Sequence, residues 1–158
     1  MTTIYEKIKA DHELHRRLLN ELAETEGDSR KRLRLWDQFY HDVKAHAAAE
    51  EETFYSKLME DPDGQDDARH SVSEHKELDD IMEDLNGTDF SSPGWLTRFK
   101  TLKHDYEHHM DEEEDDIFGK ARKVFSTSEA ENFAERFARR KMAERDLVEE
   151  KAERSLEE

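Results

Sequence analysis

Apolar residues recur every three or four positions along most of this chain, the period of a helix with one buried face. One such stripe runs through Trp36, Phe39, Val43, Phe54 and Leu58, and a second through Phe99, Leu102, Tyr106 and Ile117. Shorter stripes join Tyr5, Ile8, Leu19 and Leu22, and Leu78, Met82 and Leu85. Four groups of turn-forming residues interrupt the pattern. They are Glu26-Gly27-Asp28-Ser29, Asp61-Pro62-Asp63-Gly64, Asn86-Gly87 through Ser92-Pro93-Gly94, and Ser126-Thr127-Ser128. The pattern therefore predicts helices over about 3–25, 29–60, 65–86 and 92–125, and a fifth over 128–158. Ser92-Pro93 reads as an N-cap followed by proline in the first turn, and Ser128 with Glu131 as a capping box. Short connections favour antiparallel neighbours. The expectation is an all-α fold, an antiparallel up-down-up-down four-helix bundle over residues 1–125. Residues 126–158 then form an additional C-terminal helix. Its first half carries Phe133, Ala134, Phe137 and Ala138 for packing on the bundle, and its charged end beyond Met142 is expected to fray or project.

The chain also repeats itself. Shifted by about 63 residues it aligns without gaps. Asp11-His12 falls on Glu74-His75, His41-Asp42 on His104-Asp105, and His46 on His109. Glu50-Glu51 falls on Glu113-Glu114, and Phe54-Tyr55 on Ile117-Phe118. The unit is a helical hairpin, so two hairpins related by a pseudo-twofold axis are expected. Each contributes one acid-His pair from its first helix and one His-x-x-x-Glu-Glu from its second.

These polar residues sit where a core belongs. His46 and Glu50 lie on the stripe of Trp36, Phe39 and Phe54, and His109 and Glu113 on that of Phe99 and Leu102. His12 and His75 fall on the inward stripes of the first and third helices. A buried carboxylate costs several kcal/mol unless it is paired or binds metal, and no Lys or Arg shares these stripes near Glu50 or Glu113. A hydrogen-bonded polar layer and a metal centre both satisfy the pattern; the exact doubling of each position by the repeat favours the centre.

Composition narrows the class. The chain has 158 residues, no cysteine, two prolines and five glycines, with 42% charged residues. Thiolate ligands and disulfides are thereby excluded. The formal charge of −17 argues against nucleic acid and anionic membranes as partners. The amino-terminal segment MTTIYEKIKADHEL has no apolar signal core, and a cytoplasmic protein is expected.

His-x-x-x-Glu sets imidazole and carboxylate one helical turn apart, close enough to share a metal or an adjacent pair. Imidazole with carboxylate suits iron, and also zinc or other first-row ions. The Glu-x-x-His pattern of ferritin-like sites is absent, as is His-Glu-x-x-His. The set Asp11-His12, His46-x-x-x-Glu50-Glu51, Glu74-His75 and His109-x-x-x-Glu113-Glu114 resembles the hemerythrin/HHE cation-binding family over about residues 4–125. The resemblance implies a four-helix bundle around a carboxylate-bridged non-haem di-iron centre with dioxygen or peroxide as partner. Its ligands would be His12, His46, Glu50, His75, His109 and Glu113; zinc and manganese stay open as alternative metals. The pattern departs from hemerythrins in one place: Ser71 stands where they carry a further ligand histidine. His15 and His70 are the candidates for an additional ligand or a supporting donor, and Tyr106 for a pocket residue. His41, His104 and the acidic run around Glu113 read as solvated surface, and Trp36 and Trp95 as core. Oxygen binding, sensing or iron handling is the expected function. A peroxidase-, catalase- or oxidase-like enzyme is the alternative, and a zinc or purely structural bundle the third reading.

Overall fold

The computed structural model describes the backbone of residues 1–157 and the side chains of residues 1–147. It is helical, with no strand among the described residues. Helix α1 spans Ile4–Ala23. Helix α2 spans Arg30–Glu50 and continues through a π turn at Glu51–Tyr55 into Ser56–Leu58. Helix α3 spans Gln65–Asn86. Helix α4 spans Pro93–Glu112 and continues through a π turn at Glu113–Ile117 into Phe118–Val124. Helix α5 spans Thr127–Glu157. Among the described residues no helix is long and apolar enough to cross a membrane.

Local chemistry starts these helices where they start. The Thr3 hydroxyl accepts the Glu6 amide while the Glu6 carboxylate accepts the Thr3 amide, which satisfies two amides left free by the first turn. Ser29 accepts from the Arg32 amide, and Ser92 from that of Gly94, with Pro93 in the first turn. The last helix begins one residue earlier than its sequence suggests. Ser126, not Ser128, is the cap, and its reciprocal partner is Glu129 at 3.0 and 3.1 Å. Gly64 lies against Leu58, so that a β-carbon there would crowd the Leu58 side chain and approach its carbonyl oxygen; glycine eases the close approach of the α2–α3 turn.

α1 packs on α2 and α4, α3 packs on α2 and α4, and α5 lies along α1 and α2. Two apolar blocks result. One holds Leu19, Trp36, Phe39, Leu85, Trp95 and Phe99 among its members. The other joins Ile4, Ile8, Phe54, Phe118, Phe133 and Phe137, so α5 shares a core with the helices it covers. Ala130 and Ala134 are buried with these phenylalanines, whereas Ala138 is exposed. The charged end beyond Leu147 lies outside the described side chains. Buried Arg32 ties two loops together, donating to Thr25 Oγ1 and O and to Phe90 O, with its guanidinium 4.7 Å above the Trp95 ring. Its neighbour Leu33 is exposed.

Each π turn adds a residue to a single helical turn. Thr53, Phe54 and Tyr55 are consequently all buried in sequence, which an undisturbed 3.6-residue period does not allow. Both π turns lie at the level of the polar residues that separate the apolar blocks.

Candidate metal centre

Between the apolar blocks six side chains converge. His12 comes from α1, His46 and Glu50 from α2, His75 from α3, and His109 and Glu113 from α4; all are buried. They form two groups of four, His12-His46-Glu50-Glu113 and Glu50-His75-His109-Glu113, and within each group the donor atoms lie within 4.8 Å of one another. Glu50 and Glu113 belong to both. His12 Nε2 lies 3.1 Å from Glu113 Oε1, His46 Nε2 3.3 Å from Glu50 Oε2, and His75 Nε2 3.0 Å from Glu50 Oε1. The arrangement brings together the six residues singled out from the sequence.

Every histidine of this set turns its other ring nitrogen to a carboxylate. Asp11 Oδ2 is 2.7 Å from His46 Nδ1, and Glu74 Oε1 is 2.9 Å from His109 Nδ1. Glu114 Oε2 is 2.8 Å from His12 Nδ1, and Glu51 Oε1 is 3.0 Å from His75 Nδ1. Asp11 and Glu74 occupy matching places in the 63-residue repeat, as do Glu51 and Glu114. A carboxylate of this kind holds the ring's Nδ1 proton, leaves Nε2 as the donor and raises its basicity. The four carboxylates were visible in the repeat, yet they fall off each helix's own inward stripe. Their histidine partners stand on neighbouring helices, which a single-helix periodicity does not register.

The interior donors lack conventional partners. Both oxygens of Glu50, Glu113 Oε1 and His12 Nε2 are buried with no hydrogen bond of good geometry. The other oxygen of Glu113 accepts from the Tyr55 hydroxyl, which breaks the pseudo-symmetry because Phe118 stands at the matching position. Buried carboxylate oxygens without donors are costly; a shared cation is the partner that this donor set fits. Burial pushes His46 down, but Glu50 and Asp11 outweigh it and lift the imidazole to about 10. Burial likewise opposes His75, which Glu50 and Glu51 raise to about 9. Burial would raise Glu50; the facing His46 and His75 hold it well below the usual carboxylate range instead.

His15 does not join either group. Its Nδ1 lies 2.7 Å from the Tyr106 hydroxyl and its Nε2 2.6 Å from Asp42 Oδ2, so both ring nitrogens are engaged elsewhere. Burial, only partly offset by Asp42, pushes its imidazole down to about 4. His70 is 53% exposed and pairs with Glu74 and Glu112 on the surface. Tyr106 is buried, its ring 6.2 Å from that of His109, and it lines a groove of about 610 Å³ that also touches His46 and His75. Ser71 is buried and unpartnered. His108, the neighbour of His109, is exposed and faces Glu112.

The description "Hemerythrin HHE cation binding domain" matches residues 3–121. The chain belongs to that family. A solved structure of a hemerythrin HHE cation-binding domain-containing protein from Mycobacterium kansasii superimposes with a TM-score of 0.85 at 26% identity. The match covers 96% of this chain and 92% of that one. A curated relative from Nostoc sp., named DNA nickase, is 28% identical over 134 residues. That stretch is 85% of this chain but 38% of the relative. The His and Glu groups of this HHE domain are able to hold metal ions.

Proposed function

We propose that this chain is a non-haem di-iron protein that binds dioxygen or peroxide. One ion would be held by His12 and His46, the other by His75 and His109, with Glu50 and Glu113 bridging them inside an up-down-up-down four-helix bundle. The observation that carries this reading is the sharing of two buried, donor-poor carboxylates by two histidine pairs. Carboxylates span the distance between two adjacent ions, and imidazole with carboxylate is a donor set that iron accepts. A di-iron pair would supply reversible redox chemistry toward dioxygen or peroxide.

The chain's own residues set the conditions. Asp11, Glu51, Glu74 and Glu114 hold the histidine tautomers. Tyr55 fixes one oxygen of Glu113. The groove past Val43, Val72, Leu78 and Tyr106 gives small molecules a route toward His46 and His75. A second reading, a peroxide-consuming or oxidase-like enzyme, is favoured by His15. It is a buried imidazole held between Asp42 and the Tyr106 hydroxyl, a hydrogen-bonded chain beside the centre through which a proton can pass. The nicking activity named for the Nostoc relative is not carried over. A chain of formal charge −17 repels a phosphodiester backbone, and it spans only 38% of that protein.

The test is the metal content of protein expressed with iron, with optical spectra in air, after reduction, and on adding dioxygen or peroxide. Two irons per chain with reversible spectral change establish the binding protein. Two irons with sustained peroxide consumption establish the enzyme. Zinc alone, or no metal, refutes both.

A further inference from the structure

A second set of His-x-x-x-Glu pairs faces outward. On α3, His70 Nε2 lies 3.4 Å from Glu74 Oε1. It also lies 3.1 Å from Glu112 Oε1 on α4. His108 Nε2, on α4, approaches the other oxygen of Glu112 at 3.6 Å. Donor atoms of His70, Glu74 and Glu112 all lie within 4.8 Å of one another, as do those of each inner group. The donor pattern is that of the interior, displaced by one residue on α4 and therefore rotated about 100° around the helix toward solvent.

The pseudo-twofold repeat sharpens the contrast. The positions matching His70, Glu74, His108 and Glu112 are Lys7, Asp11, Ala45 and Ala49. In that half both alanines are buried, Ala49 in the cluster that α5 completes with Phe133 and Phe137. Asp11 there is bound by Lys141 of α5 at 2.9 Å. Among the described residues α5 packs along α1 and α2 and has no comparable packing on α3 or α4. The place that α5 fills with alanine contacts and a lysine is filled on the open side by two imidazoles and two carboxylates.

We propose that His70, Glu74 and Glu112, with His108 at the second oxygen of Glu112, form an outer site for one divalent first-row transition ion, separate from the buried pair. Imidazole with carboxylate selects zinc, nickel, copper or ferrous iron over magnesium or calcium, which favour all-oxygen sites. Two of the donors project from one helix and one or two from its neighbour, so no loop has to rearrange. Glu74 makes the site more than a surface accident: the same oxygen that faces His70 accepts the Nδ1 proton of His109. An ion in the outer site therefore shares a carboxylate with the ring that supports the inner centre.

The experiment uses full-length protein carrying whatever inner metal it is isolated with. It is titrated with zinc by calorimetry, dialysed against a fixed low zinc concentration, and counted by plasma mass spectrometry. The unaltered protein is expected to take up one more zinc per chain than His70→Ala/His108→Ala, with equal inner metal in both. Glu112→Gln, which keeps shape and loses charge, should show the same loss and guards against a misfolded double variant. Equal zinc uptake by unaltered protein and both variants overturns the proposal, whether that uptake is zero or not. The count is a difference between variants, so it stands even if the inner metal proves not to be iron.

Discussion

Asp11→Asn is the perturbation that most sharply tests how the centre is supported. The carboxylate of Asp11 faces His46 Nδ1 at 2.7 Å and is only 16% exposed, with Lys141 on its other oxygen. Replacing it leaves the bundle's apolar contacts alone and removes the charge that assists the hydrogen bonds to both His46 and Lys141; the one to His46 is worth about 1.5–3 kcal/mol in a partly buried setting. Loss of such a partner weakens metal binding by about 10–100-fold. At about 1.4 kcal/mol per tenfold, that range agrees with the value of the hydrogen bond. The loss should fall on the group containing His12 and His46, since His109 has its own carboxylate in Glu74. Chelator competition followed by metal counting should therefore turn from one phase into two, with one ion leaving early. Glu51→Gln should produce the complementary loss at His75. Unchanged affinity in Asp11→Asn, or equal weakening of both ions, would refute the assignment of separate supporting carboxylates.

Other outcomes follow from the same geometry. His46→Ala or Glu50→Ala should sharply lower metal content, whereas His41→Ala should not, because His41, half-buried beside Asp37, belongs to neither inner donor group; equal losses in all three would show the inward register to be wrong. Metal uptake should release protons at pH 7.5. Without metal His46 and His75 titrate near 10 and 9 and carry protons at that pH, but a ligand must be neutral. Affinity should accordingly rise with pH toward 9–10, and an indicator dye that registers no proton release on loading would contradict the pairing. Phe137→Ala should destabilise the fold by about 3–5 kcal/mol, since this 2% exposed ring closes the α5 core and sits 5.6 Å from the His46 ring; denaturant unfolding showing under about 1 kcal/mol would mean that α5 is dispensable.

Much of this architecture is written in spacing. Turn residues at Asp61–Gly64 and Asn86–Gly94 mark the ends of α3 closely, because glycine, proline and capping side chains act locally. The six central donors stand out because three positions interrupt the apolar stripes and each recurs once per hairpin, as His12/His75, His46/His109 and Glu50/Glu113. What escaped is what depends on a neighbour. The π turns add a residue without altering composition, and only burial of Thr53, Phe54 and Tyr55 together reveals one of them. Tyr55 reaches Glu113 across the bundle. Arg32 is buried because two loops fold over it, so its charge points to solvent only on paper. His15 is inward as its stripe suggests, but Asp42 and Tyr106, on two other helices, decide what it does there. His70 is turned out by the regular start of α3, which leaves no irregularity to swing it back.

The most direct test of the account is a crystal of protein grown with iron, measured on both sides of the iron absorption edge. Di-iron binding predicts two anomalous peaks roughly 3.5–4 Å apart, both between Glu50 and Glu113, one beside His12 and His46 and the other beside His75 and His109. A single peak, a peak away from the two glutamates, or no iron there at all would contradict it.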